Sequence, residues 1–213
     1  MAIAKQAVLG VGGGIAAYKV AFLASRLVQK GVSVRVAMTP SALKFVGAVT
    51  FAGLTGSQPI LSSTQVDDDG SVPHIDAAKH ADVYCIAPAT AGVLAQLATG
   101  AADDPVALLA LSVTCPIVVC PAMNDAMWEA KAVAANVATL RERGVEICGP
   151  VTGHLAEGYD AIGRMVEPEA MLERNTRERL CFVIDKICSN SDTDIPGRRP
   201  TKCSTRWWAR PKP

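Results

Sequence analysis

Strands and helices taking turns along most of the chain predict an α/β fold of the Rossmann-like, flavodoxin-like kind, a parallel sheet with helices on both faces. Two further observations agree. The strand-like runs are almost wholly apolar, as strands with no wet face must be, and the first of them ends in glycines that open a helix. With 213 residues, half of them hydrophobic, the chain is long enough to bury one core of ordinary size.

Taken in order, Gln6-Ala-Val-Leu-Gly-Val11 reads as the first strand. Residues 15–30 read as a helix, with Ile15, Tyr18, Phe22, Ala24, Leu27 and Val28 at helical spacing. A second strand is expected over 32–38, a helix over 41–54, and a strand over 81–87 that ends at Pro88. Helices over 90–98 and 105–112 precede a strand over 116–120, a helix over 125–143 and a strand over 145–148. A last helix is expected from 168 to 187. Residues 1–187 then form one domain, and 188–213, rich in Ser, Thr, Asp, Pro, Arg and Lys without periodicity, a mobile tail. The tail's Arg206-Trp207-Trp208-Ala209-Arg210 has the composition of a stacking or docking segment and equally of a solvated basic end.

Composition narrows the partners. A formal net charge of +1 offers no polycationic surface, so no nucleic-acid partner is expected. Apolar runs are broken well short of a bilayer span and Met1 opens directly into a strand, which predicts a cytoplasmic chain with no membrane contact. The seven cysteines form no CxxC pair, and Cys85, Cys120 and Cys148 fall in expected strands. They read as small core hydrophobes, and no metal site is expected.

In a doubly wound parallel sheet the ligand lies beyond the carboxyl ends of the strands, so the loops there carry the chemistry. Gly12, Gly13, Gly14 and Ile15 follow the first strand, where glycines let backbone N–H groups approach a phosphate. Ile15 stands where a dinucleotide fingerprint needs its third glycine, and the second strand ends without an acidic residue for a ribose diol. A mononucleotide fits better, although a plain tight turn uses the same glycines. Thr39 and Ser41 bring hydroxyls to the next strand end, and Pro88, Ala89 and Thr90 bring a third loop toward the same crevice. Each hydroxyl serves equally as a helix cap.

His74, His80 and His154 are candidate acid–base groups that periodicity alone does not separate. Asn124 offers two N–H donors to a carboxylate, with Met123, Met127 and Trp128 as apolar cover; the same residue also suits a helix cap. The glycine-punctuated run 153–165 has the length of a lid. It holds Glu157, Met165 and Arg164, which is able to grip a carboxylate or to pair only with Glu167 or Glu169.

In this order, Gly12-Gly-Gly-Ile-Ala-Ala-Tyr-Lys19, Met38-Thr-Pro-Ser-Ala-Leu-Lys-Phe-Val46, His74-Ile-Asp76, Pro88-Ala-Thr-Ala91, Ala102-Asp-Asp104, Pro121-Ala-Met-Asn-Asp-Ala-Met-Trp128 and Gly163-Arg-Met-Val-Glu-Pro168 resemble the homo-oligomeric flavin-containing cysteine decarboxylases. The resemblance covers about residues 5–170 and rests most on the PxMNxxMW segment. It implies FMN held by the glycine turn, Thr39 and Ser41, and the Pro88–Thr90 loop, in trimers that often build dodecamers. It selects His74 as an aid to cysteine oxidation, Asn124 as holder of the substrate carboxylate, and Met123, Met127, Glu157, Arg164 and Met165 as substrate contacts. The implied chemistry oxidises a cysteine thiol to a thioaldehyde, whose sulfur takes up the electrons released as carbon dioxide leaves; the product is an enethiol.

Two departures stand out. Ala91-Gly92-Val93 replaces a more polar stretch, and Glu157 occupies the slot where the coenzyme A pathway enzymes carry a reducing cysteine. A carboxylate has no thiol redox chemistry. The expected function is therefore oxidative decarboxylation of the C-terminal cysteine of a precursor peptide. The alternatives are a phosphopantothenoylcysteine decarboxylase, a flavin prenyltransferase and a non-catalytic flavin-binding regulator.

Overall fold

The structure is a computed structural model and describes residues 5–172. Five parallel strands form the sheet: β1 (Gln6–Val11), β2 (Ser33–Met38), β3 (Val83–Ala89), β4 (Ile117–Pro121) and β5 (Glu146–Ile147), in the order β2-β1-β3-β4-β5. This is the flavodoxin-like winding, whose direction reverses between β1 and β3 and leaves a crevice at their carboxyl ends. The α/β expectation holds.

The helices are α1 (Ala17–Gln29), α2 (Ala48–Thr55), α3 (Pro73–His80), α4 (Ala91–Thr99), α5 (Pro105–Ser112), α6 (Asp125–Glu129), α7 (Lys131–Glu142) and α8 (Pro168–Leu172). One core cluster packs α1, α2 and α8 on the sheet face that includes Leu9, Met38 and Cys85. The other packs α3, α4, α5 and α7 on the opposite face, around Tyr84, Ile86 and Leu94. Fully burying a leucine such as Leu9 or Leu94 contributes about 2 kcal/mol. Buried Asp104 caps α5, accepting from the Val106 and Ala107 amides at 2.8 and 3.0 Å, and the Tyr84 hydroxyl donates to the Val106 carbonyl at 2.8 Å.

Several boundaries differ from the sequence reading. The helix expected over 41–54 is a short 3-10 turn (Ala42–Lys44) and α2, separated at Gly47, whose extended ψ of 142° stops the helix. The helix expected over 125–143 breaks at Ala130, also extended, into α6 and α7. Helix α3 was not expected. The lid expected over 153–165 contains an antiparallel hairpin, β6 (Val151–His154) and β7 (Asp160–Arg164).

Helix α1 turns inward a face that shares only Ala24 and Leu27 with the expected stripe. Ile15, Tyr18 and Phe22 are exposed, and Ala17, Val20, Leu23, Ala24 and Leu27 meet the sheet. Both sets have helical spacing, and the small alanines allow the close approach that the aromatic residues do not. The expected cysteine burial holds for Cys85, Cys120 and Cys148. The Cys120 thiol is pushed well above its ordinary pKa by hydrogen bonds to Cys148 and Cys85, then by burial. No group of side chains suited to a metal occurs among the described residues, nor a helix long and apolar enough to cross a membrane. The remainder of the expected last helix, the boundary at 187 and the tail with Trp207 and Trp208 lie outside the described residues.

Candidate functional site

Three strand-end loops meet at the reversal of the sheet. A Cβ on Gly12 would run into the carbonyl oxygen of Pro88, and one on Gly13 into the Ser41 side chain. At Gly14 a Cβ would stand 3.7 Å from both Pro88 and Thr90. The glycine turn is thus pressed between the Ser41 and Pro88–Thr90 loops, and only hydrogen fits at its first two positions. Thr39 Oγ1 lies 3.1 Å from Ser41 Oγ and accepts from the Ala42 amide at 3.2 Å, while Thr90 Oγ1 caps α4 by accepting from the Val93 amide at 3.4 Å. Each hydroxyl oxygen accepts in its cap, as the capping reading of both expects.

A cleft of about 430 Å³ opens beside this cradle. It is lined by Gly14, Ile15 and Lys19 on one side, and by Met123, Asn124, Glu157, Arg164 and Met165 on the other. The hairpin is fixed to the loop after β4 at its base, where the Met123 amide donates to the Gly163 carbonyl at 3.0 Å. Any side chain at Gly163 would strike the Met123 carbonyl, and its φ of 141° favours glycine besides. This contact lays the hairpin over the cleft.

Asn124 caps the next helix, as one of its readings has it, and its amide donors are engaged within the chain. Its Oδ1 caps α6 by accepting from the Ala126 amide at 2.9 Å, and its Nδ2 donates to Glu157 Oε1 at 3.0 Å and to the Tyr159 hydroxyl at 3.1 Å. The Tyr159 hydroxyl in turn donates to Asp125 Oδ1 at 2.8 Å, and that bond is the largest cause of the tyrosine's raised pKa. Arg164 takes the plainer of its two readings, pairing with Glu167 at 2.6 Å. Two expected contacts are not in the cleft: Met127, 47% exposed on the outer side of α6, and His74.

The three histidines separate by their surroundings. His80 is paired with Asp76 on its own helix, and His154 lies 3.2 Å from Asp160 across the hairpin. His74, in the first turn of α3, has a buried Nδ1 with no partner among the described residues. An orphaned ring nitrogen is uncommon in a finished interior.

Sequence reasoning missed Lys19, Tyr159 and the whole of α3. Lys19 is only 6% exposed, its Nζ 2.7 Å from Glu167 Oε1 and 3.4 Å from the Met165 carbonyl. Nothing local marks it, because its partners lie 146 and 148 residues further along.

The fold and this cradle define a mononucleotide-binding α/β subunit. The chain belongs to the Flavoprotein family, whose model matches residues 2–178, and within it to the flavin-containing cysteine decarboxylases. The coenzyme A biosynthesis bifunctional protein CoaBC of Mycobacterium tuberculosis is 43% identical over 167 residues, which is 78% of this chain and 40% of that protein. The Bacillus subtilis counterpart is 40% identical over 169 residues, 79% of this chain and 42% of that protein. The chain thus spans about two fifths of the length of these relatives.

Among solved structures, the FMN-dependent cysteine decarboxylase SpaF superposes with a TM-score of 0.66 at 34% identity, over 75% of this chain and 89% of that one. A cysteine-to-serine variant of a PPC decarboxylase complexed with pantothenoylaminoethenethiol gives 0.70 at 27% identity, over 78% of this chain and 93% of that one. The residues present fit FMN: a glycine turn with no room for side chains, two hydroxyl loops and the amino end of α4 face one crevice, without an acidic residue for a second ribose.

Proposed function

We propose that the chain decarboxylates a cysteine whose amino group is acylated, with FMN as oxidant. The observation that carries this reading is Asn124, whose amide is aimed into the cleft beside the flavin cradle. FMN, when bound, supplies a two-electron oxidation. The chain's own residues do the rest. The Gly12–Gly14 turn, Thr39, Ser41 and the Pro88–Thr90 loop hold the phosphate and ring; Asn124 orients the substrate carboxylate; His74 handles the thiol proton; the hairpin excludes water.

Two acyl groups are in contention. The sequence reading puts a precursor peptide first, but the CoaBC relatives at 40–43% identity give better support to phosphopantothenoylcysteine, and that substrate is the leading proposal. Glu157 at the cysteine slot and the 34% identity to SpaF support the peptide as the second reading. Self-association, as trimers or multiples of them, is supported by the exposed stripe of Ile15, Tyr18 and Phe22 and by His74 lying outside the cleft of its own subunit. The test is to incubate the flavin-loaded protein with 4′-phosphopantothenoylcysteine and, separately, with acylated C-terminal cysteine peptides. Loss of carbon dioxide, with or without two hydrogens, from either substrate class supports the reading. No loss from any of them overturns it.

A further inference from the structure

We propose that Glu157 is an internal ligand of Asn124, a carboxylate of the chain's own that occupies the substrate-carboxylate subsite until substrate displaces it. This rests on the reading that Asn124 holds that carboxylate. A carboxamide nitrogen carries two N–H donors and its oxygen accepts. In Asn124 one N–H goes to Glu157 Oε1 at 3.0 Å, the other to the Tyr159 hydroxyl at 3.1 Å, and Oδ1 is engaged by the Ala126 amide at 2.9 Å. No donor is left for a substrate. Glu157 presents the same chemical group that a cysteine carboxylate would bring, at the same atom.

The architecture allows the exchange. The hairpin base is pinned at Gly163 against Met123, and Leu155 is buried, whereas residues 156–160 at the tip are exposed. The tip is closed by the Leu155 amide on the Tyr159 carbonyl at 2.9 Å, through Gly158 at φ 93°. A swing of this turn removes Glu157 and Tyr159 from Asn124 together and leaves the base in place. Tyr159 stabilises the closed arrangement by its own bond to Asp125 at 2.8 Å. Because the apparent affinity of a ligand falls with the fraction of molecules whose site is open, Glu157 sets a threshold for carboxylate binding. It gives the hairpin a specificity role: neutral analogues gain nothing from displacing it, since only an anion replaces the charge-assisted bond.

The probe is N-pantothenoyl-L-serine, which keeps the carboxylate and has no oxidisable thiol, alongside its serinamide. Dissociation constants are measured by calorimetry on the flavin-loaded full chain and on Glu157→Ala, Glu157→Gln, Asn124→Ala and the Asn124→Ala/Glu157→Ala pair. Retained flavin absorbance and thermal midpoint certify each fold. Glu157→Ala should bind the acid about fivefold more tightly, the equivalent of about 1 kcal/mol, and the serinamide no differently. Glu157→Gln should fall between. In the Asn124→Ala background the gain should vanish, whereas simple repulsion between two carboxylates would persist there. Glu157→Ala that binds the acid no more tightly than the unaltered chain overturns the proposal. Asn124→Ala with undiminished affinity for the acid is a different failure, because it removes the Asn124 reading on which the proposal stands.

Discussion

Lys19 Nζ lies 2.7 Å from Glu167 Oε1, and Arg164 reaches the same oxygen at 2.6 Å. One carboxylate thereby ties the first turns of α1, next to the glycine cradle, to the strand that carries the hairpin. Burial acts to raise the Glu167 pKa, but the bonds from Lys19 and Arg164 outweigh it and the net shift is downward. Lys19→Met should lower stability by about 1–2 kcal/mol, less than a fully buried pair because Glu167 is half-exposed. A thermal melt reads this as a drop of several degrees. A lowered carboxyl pKa gives stability that is full above the ordinary glutamate range near about 4.3 and is lost as pH falls through the lowered value. The gap between the two proteins should therefore narrow below that range. A gap that widens in acid would show that Glu167 is not its source.

The glycine cradle predicts a defect in cofactor retention. Gly13→Val places branched carbon where Ser41 already stands, so the Ser41 loop must move away from the crevice. The purified variant should lose flavin absorbance while keeping its far-ultraviolet circular dichroism. Gly53→Ala, in α2 with open space around the added Cβ and no positive φ, should keep its flavin.

His74→Asn and Asn124→Ala should each lower decarboxylation by about 100-fold or more, as expected for positioned acid–base and orienting groups. The two residues do not line one cleft in a single subunit. Co-expression of the two inactive variants should then recover activity, at about one site in four for random mixing around a ring whose sites are shared by neighbours. Failure to recover any activity, with mixed oligomers demonstrated, would place both residues in the same subunit's site.

Glu157 predicts the product. With a carboxylate at the cysteine slot, no thiol in the hairpin returns electrons to the enethiol, so the released product should have lost carbon dioxide and two hydrogens. The measurement is mass spectrometry of an anaerobic single turnover. A saturated thiol, lighter than substrate by carbon dioxide alone, is the contrary result.

Asp104 accepts from two amides at the start of α5 while buried, and Asp104→Ala should lower stability by about 1–2 kcal/mol. Chemical denaturation reads this as a lower midpoint at unchanged slope.

The alternation of apolar strands and helices was legible from residues alone, because burial on both faces of a parallel sheet is written into each strand. The glycine turn was legible too: a backbone approach that excludes side chains leaves glycine as its mark at Gly12 and Gly13. Asn124 was visible as a cap or a donor, and the structure shows that one side chain serves as both. What only the tertiary structure decided was which chemically equal choice is used. Ile15, Tyr18 and Phe22 have the same periodicity as the stripe that is buried, and only packing against the sheet separates the two. His74, His80 and His154 are alike in sequence, and only the placement of partners leaves the His74 Nδ1 unsatisfied. Lys19 looks like any surface lysine until a chain 148 residues away returns with Glu167. The bond between Glu157 and Asn124 likewise depends on the hairpin folding back across the cleft. Local pattern determines elements because dihedral preference and burial act over a few residues; ion pairs and shared hydrogens are set by distances that exist only once the sheet has assembled.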